Sequence, residues 1–217
     1  MTHGFAGACE RKARFGLPAV LGMAALLLAA APPALAAPAV GQPAPDFTAV
    51  DTKGTSHSLG DFKGKTVILE WTNHECPYVV KHYDSGNMQA LQTEAAEGDI
   101  VWLTVISSAP GQQGAVAPEK ADELTAARNA APTAVLFDPE GTMGRAYDAR
   151  TTPHMYVIDP QGTLAFMGGI DDKPTTDVAD VPGATNHVRA ALADLADGKP
   201  VAEAVTRPYG CSIKYKS

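Results

Sequence analysis

The chain has 217 residues, 45% of them apolar and 19% charged, which suits one globular core behind an N-terminal leader. Its net charge is −7 with histidine neutral, and the charges are scattered, which argues against a nucleic-acid backbone or an anionic membrane as partner. There are three cysteines, no internal repeat and no long low-complexity segment.

Residues 1–36 read as a cleaved secretory leader. Arg11, Lys12 and Arg14 precede the apolar run LPAVLGMAALLLAAA, from Leu17 to Ala31. That run is shorter than the roughly 20 residues a spanning helix needs, and Ala34-Leu35-Ala36 fits a small-x-small cleavage site. The alternative is a membrane anchor. Cleavage after Ala36 leaves residues 37–217 as one domain, removes Cys9 and takes the net charge to −9. The expected product is periplasmic, with no membrane attachment after cleavage. Cys76 and Cys211 remain, in an oxidising compartment where two cysteines can pair.

The mature chain opens on a Pro-rich lead-in, residues 37–47, and Lys53-Gly54 then signals a hairpin. KTVILEW (65–71) is an apolar, β-branched run and predicts a buried strand. Pro77 suits a first helical position. A helix is predicted from there to about Ala96, with Val80, Tyr83, Met88, Leu91 and Ala95 at helical spacing. DIVWLTVIS (99–107) and TAVLFD (133–138) are the next strands, with a helix over 118–129 between them. PEGTMGRAYDA (139–149) is a short helix or turn. Residues 153–169 form a hairpin turning at Pro160-Gln161-Gly162, and 184–198 a last helix ending at Gly198. This alternation predicts a three-layer α/β domain.

Cys76 falls where the first strand gives way to the first helix. A thiol there meets free backbone N–H groups and the positive end of the helix dipole, which favour thiolate, the nucleophilic form. His74 and Lys81 can add positive charge if they point inward, although Lys81 also reads as a surface charge and His74 as an ordinary exposed histidine. The alternative for Cys76 is a small buried apolar residue. A CxxC pair would need a second cysteine at position 79, which is Val79.

The segment GQPAPDFTAVDTKGTSHSLGDFKGKTVILEW, the cysteine turn and TTPHMYVIDPQGTL together resemble the thioredoxin fold in its redoxin, AhpC/TSA peroxiredoxin-like form. NHECPYVVKHY and the tail YGCSIKY resemble an exported subgroup with a C-terminal cysteine. The resemblance implies a central mixed sheet flanked by helices, with an N-terminal β-hairpin extension. It places Pro153 as the cis-proline facing the reactive cysteine, and Thr152 before it as the residue that presents backbone to a partner. It implies an exported thiol oxidoreductase in which Cys76 attacks a peroxide, or a protein or small-molecule disulfide, and an unidentified thiol reductant restores it. Asn73, His74, Pro77, Tyr78, Thr152 and His154 are the expected pocket residues beside Cys76, Cys211 and Pro153.

Two departures stand out. Many peroxiredoxins carry Thr or Ser three residues before the reactive cysteine, where this chain has Asn73. Their arginine near the strand that here starts at Pro153 is also not matched, since Arg150 is out of register. Cys211 is the expected resolving thiol: it is the only other one after export, it lies in the Gly-containing tail RPYGCSIKY, and the subgroup resemblance includes it. A free or structural cysteine is the alternative. No cofactor is expected. A second class of function, copper or zinc binding, would draw on His74, Cys76, His82 and His154. Asp171 and Asp172 read as acids of a solvated loop, and Trp71 as core.

Overall fold

The computed structural model describes Met1 and residues 37–217. The predicted leader and its cleavage site lie outside the described residues. Among the described residues no helix is long and apolar enough to cross a membrane.

Among the described residues, nine strands and five α-helices follow the lead-in. β1 (Thr48–Asp51) and β2 (Ser56–Ser58) make the expected hairpin, turning through Gly54. β3 (Val67–Trp71), β4 (Val101–Ile106) and β5 (Ala134–Phe137) are parallel neighbours. β7 (His154–Ile158) lies antiparallel to β3, and β8 (Leu164–Gly168) antiparallel to β7. The resulting seven-stranded mixed sheet has the order β2-β1-β5-β4-β3-β7-β8, with the N-terminal hairpin as an added edge. A separate two-stranded ladder joins β6 (Thr151–Thr152) to β9 (Cys211–Ser212).

β3 and β4 are central and covered on both faces, and so read as near-continuous apolar runs, interrupted only by Glu70 and Thr104. On one face lie α1 (Pro77–Asp84), α2 (Asn87–Glu97) and α5 (His187–Ala196). They pack Val79, Met88, Leu91 and Val188 against Ile68, Trp102, Val157 and Phe166. α3 (Pro118–Ala127) covers Ile106 and Val135 through Ala121. On the other face, α4 (Thr142–Ala146) and the N-terminal segment bring Phe47, Met143 and Tyr147 onto Trp71, Leu103 and Tyr156. Trp71 is core, as expected.

The single helix expected from Pro77 to about Ala96 is two. Ser85 N–H and Gly86 N–H close the first on the carbonyls of Lys81 and Tyr83, and Gly86, at φ +74°, turns the chain into α2. The apolar spacing continued across the break, so periodicity did not reveal it. Its buried face carries Val79, with Val80 only half-buried.

Candidate active site

The loop after β3 sets the position of Cys76. Asn73 Oδ1 accepts the N–H of Glu75 at 2.9 Å, and the Asn73 carbonyl accepts the N–H of Cys76 at 3.0 Å. This Asx turn makes Cys76 the N-cap of α1, its carbonyl accepting from Val79 and Val80 while Pro77 fills the first position, where no N–H is needed. The side chain of Cys76 is fully buried.

Facing it is the Thr152–Pro153 bond, which is cis as expected. The Cys76 thiol donates to the Thr152 carbonyl at 3.0 Å. The Thr152 hydroxyl is buried and has no standard hydrogen-bond partner of its own. Opposite Thr152, in the β6–β9 ladder, stands Cys211. The chain's last residues therefore fold back over the cysteine turn, and Cys76 and Cys211 are both free thiols there.

The tail is held at many points. Thr206 N–H donates to the Met167 carbonyl, Ile213 N–H to the Arg150 carbonyl, and Ala109 N–H to the Lys214 carbonyl at 2.8 Å. Tyr215 hydroxyl donates to the Ala149 carbonyl at 2.7 Å. Tyr209, two residues before Cys211, donates its hydroxyl to Asp171 Oδ1, lies 3.1 Å from His82 Nε2, and meets Tyr78 edge-on at 5.8 Å. Asp171 is itself buried, with Lys81 Nζ and His82 Nε2 each 3.9 Å from its Oδ2, and Lys81 also donates to the Lys173 carbonyl at 2.8 Å. A buried charge cluster thus joins the cysteine helix to the tail.

The two thiols differ electrostatically. Burial acts to raise the Cys76 pKa, but the Cys211 thiol, the Thr152 hydroxyl and the N–H groups of Cys211 and Val79 outweigh it, and the net shift is downward. Burial and the neighbouring Cys76 sulfur push Cys211 up to about 12. The expected helix-end effect is present only as the Val79 N–H, the least of these influences, whereas the tail and Thr152 contribute more. Neither His74 nor Lys81 is among the influences on the sulfur.

The expected residues therefore sort into two groups. Cys76, Thr152, Pro153 and Cys211 converge. Pro77 is exposed at the helix start, and Tyr78 is half-buried against Tyr209. Asn73 is buried and spends its amide on the turn. His74 lines a separate small pocket with Thr72, Tyr83 and Arg128, and burial lowers its pKa. His154 alternates to the far face of the sheet with Tyr156, against whose ring it lies tilted with centroids 4.6 Å apart, so it is not a pocket residue beside Cys76. Lys81 is fully buried rather than a surface charge, and Asp171 is buried rather than solvated, because the returning tail covers both; Asp172 is exposed. The histidines of the copper or zinc alternative are dispersed: His82 is engaged by Asn87 and Tyr209, and His154 lies on the other face. Among the described residues no three His, Cys, Asp or Glu side chains stand as a ligand set. Sequence reasoning missed Tyr209, Gly210 and the cluster on Asp171. Only the Tyr-Gly pair directly before Cys211 carried any signal.

Residues 40–167, more than half of the chain and including Cys76, Thr152 and Pro153, match the AhpC/TSA family. The chain belongs to the AhpC/TSA family. It is a redoxin, a thiol oxidoreductase on a thioredoxin-like fold. The thiol-disulfide oxidoreductase ResA of Geobacillus kaustophilus (strain HTA426) is 31% identical over 133 residues, which cover 58% of this chain and 67% of that protein. Two solved structures share the architecture at a TM-score of 0.70. One is a hypothetical protein from Sinorhizobium meliloti 1021, 21% identical, and covers 82% of this redoxin and 96% of its own chain. The other, an uncharacterized conserved protein from Geobacillus kaustophilus, is 25% identical over 82% and 93% of the respective chains. The family match ends at Met167, so Cys211 lies beyond it.

Proposed function

We propose that this redoxin is an exported dithiol–disulfide oxidoreductase in which Cys76 is the nucleophile and Cys211 the resolving thiol. The observation that supports this reading best is the β6–β9 register: Cys211 lies opposite Thr152, whose carbonyl accepts the Cys76 thiol proton. In this reading the Cys76 thiolate attacks a peroxide, giving a sulfenic acid and an alcohol or water, or attacks a disulfide, giving a mixed disulfide and a released thiol. Cys211 then attacks the Cys76 sulfur. Its own proton leaves with the departing hydroxide as water, or with the departing thiolate as thiol, and the Cys76–Cys211 disulfide forms. An external thiol reductant restores both cysteines.

Several features fit these roles. The lowered Cys76 pKa suits a nucleophile, and the raised Cys211 pKa keeps that thiol protonated as a hydrogen-bond donor until it is needed. Thr152, joined to Pro153 through the cis bond, holds the acceptor carbonyl at the sulfur. Asn73 fixes the turn. Export rests on the charged, apolar and small-residue pattern of residues 1–36 and on an oxidising compartment being one where such a pair turns over.

Peptide mapping by mass spectrometry before and after one equivalent of hydrogen peroxide tests the reading. A Cys76–Cys211 linked peptide must appear on oxidation and vanish with a mild thiol, and the Cys211→Ser variant must stop at sulfenic or further oxidised Cys76. If the two sulfurs never link, the cycle is wrong and an external thiol resolves Cys76. N-terminal sequencing of exported protein is expected to begin at Ala37.

A further inference from the structure

The anchors of the tail do not all hold it to the same place. The β6–β9 ladder, the Ile213 N–H on the Arg150 carbonyl and the Tyr215 hydroxyl on the Ala149 carbonyl fasten it to the segment that runs into Thr152. Tyr209 fastens it to α1, the helix that begins at Cys76. We propose that Tyr209, His82 and Asp171 are positioning residues of the resolving step: the Tyr209 hydroxyl, held between the other two, fixes Cys211 relative to the Cys76 sulfur and not to Thr152 alone. This rests on the Cys76–Cys211 disulfide proposed above and names the side chains that deliver it.

The hydrogen bonds of this cluster run in one consistent direction. Asn87, the first residue of α2, accepts at Oδ1 from Asn186 Nδ2 at 3.3 Å and from Arg189 Nη1 at 3.4 Å. Its amide nitrogen is thereby turned to His82 Nδ1, 3.0 Å away, and donates to it. Burial lowers the His82 pKa to about 4, so the ring is neutral, and with Nδ1 accepting it carries its proton on Nε2. That N–H faces the Tyr209 oxygen at 3.1 Å. The Tyr209 hydroxyl donates onward to Asp171 Oδ1. Burial and the Asp171 carboxylate raise the Tyr209 pKa, so the phenol keeps the proton it donates. One hydroxyl thus serves as acceptor on its His82 side and donor on its Asp171 side.

Burial gives that hydroxyl its leverage. His82 and Asp171 are both buried. Without the hydroxyl, the His82 N–H is left with Asp171 Oδ2 at 3.9 Å, too far for a hydrogen bond. A buried donor without a partner is costly until water reaches it, and water reaches this one when the tail lifts. Loss of the hydroxyl is therefore felt as loss of docking. The linkage to both sulfurs is short. Tyr209 is two residues before Cys211, and His82 is six after Cys76, less than two helical turns. The Tyr209 ring also meets Tyr78 edge-on at 5.8 Å, and Lys81 Nζ lies 5.8 Å from its centroid, so three residues of α1 set its place.

The experiment uses the full-length chain as wild type, Tyr209→Phe and Tyr215→Phe. Tyr209→Phe keeps the ring against Tyr78 and Lys81 and loses only the hydroxyl. Each protein is equilibrated without oxygen in buffers of glutathione and glutathione disulfide, quenched with acid, capped with N-ethylmaleimide and mapped for the Cys76–Cys211 linked peptide. The midpoint gives the effective concentration of one thiol at the other. A loss of stability shared by the dithiol and the disulfide leaves it unmoved, so this readout separates positioning from folding. The expected result is a fall of about fivefold in Tyr209→Phe, the worth of one hydrogen bond. Tyr215→Phe, which frees the tail only from Ala149, should fall less. His82→Leu removes the donor and should also lower the effective concentration, with the double variant falling by less than the product of the single effects. An unchanged value in Tyr209→Phe, an equal fall in Tyr215→Phe, or effects that multiply in the double variant overturns the assignment while leaving the disulfide standing. If wild type shows no linked peptide in any buffer, the resolving role of Cys211 fails first and this inference fails with it.

Discussion

Gly210→Ala is the sharpest probe of the docked tail. Gly210 adopts φ +137°, and a Cβ there would lie 2.0 Å from the Thr152 carbonyl oxygen and 2.7 Å from its carbon. Non-bonded heavy atoms sit best at about 3.5–4.0 Å, so the methyl group and the carbonyl cannot both keep their places. The carbonyl is backbone and already holds the Cys76 thiol. Strain at a φ that L residues avoid costs about 1–3 kcal/mol. Released by undocking the β9 strand, that cost lowers the docked population and slows formation of the Cys76–Cys211 disulfide by roughly 5- to 150-fold. The assay adds one equivalent of hydrogen peroxide, quenches with acid and alkylating reagent at increasing times, and reads the fraction of linked peptide. Gly183→Ala serves as control, because that position has an ordinary φ and open space around its Cβ. Its rate should match wild type. A Gly210→Ala protein that forms the disulfide as fast as wild type would refute the claim that the ladder opposite Thr152 delivers Cys211.

Cys211→Ala should raise the Cys76 pKa, because it deletes the thiol that does most to offset burial, while Cys211→Ser retains a donor and should raise it less; thiolate absorbance against pH reads both, and no change in Cys211→Ala would return the effect to the helix end. His82 and His154 are each held by burial at a pKa of about 4 against an ordinary 6.5, so the unfolded chain binds protons that the native protein refuses. The stability they confer is present above about pH 6.5 and is lost as pH falls toward 4, at up to about 1.4 kcal/mol per pH unit for each histidine. Urea unfolding at stepped pH should show this slope, and His154→Phe, which keeps an aromatic ring against Tyr156, should remove one histidine's share; an unchanged slope would place the proton uptake elsewhere. Lys81→Met leaves buried Asp171 without its nearest lysine and should cost about 3 kcal/mol, most of it recovered in a Lys81→Met, Asp171→Asn double variant. Additive losses in that double-mutant cycle would mean the two side chains do not act as a pair.

The framework was readable because the strands of the main sheet and most of the helices announced themselves locally. Val67 to Trp71 and Val101 to Ile106 are apolar but for Glu70 and Thr104, the pattern of a strand covered on both faces. The hairpin at Gly54 and the turn at Pro160 to Gly162 followed from residue types that set backbone angles. The cysteine turn was readable for the same reason, since Pro77 marks a helix start and Cys76 directly precedes it. What stayed hidden depends on chain returning from far away. Lys81 and Asp171 carry the composition of solvated surface, and nothing near either residue in sequence says that Tyr209 will close over them. His154 directly follows the cis-proline and so stands next to the site in sequence, but the alternation of β7 sends it with Tyr156 to the other face. The break at Gly86 was missed because two helices that pack on one sheet continue the same apolar stripe.

Val79 explains why the tail must do this work. In a CxxC pair the second sulfur is delivered by the helix itself, one turn along, and proximity is settled by local geometry. Here that position gives its backbone N–H to the Cys76 carbonyl and an apolar side chain to the core, but no thiol. A second thiol near the chain's end can reach the same place only after loop closure, whose entropy must be offset by tertiary contacts. The tail carries such contacts on both sides of Cys211: Thr206 and Tyr209 before it, Ile213 and Tyr215 after it, with Gly210 allowing backbone to pass close over Thr152. The proximity of the two sulfurs is therefore a property of the folded tail rather than of a motif. In the proposed cycle, loosening any of these anchors weakens the pairing without touching either cysteine, so that docking of the tail and thiol reactivity are set together.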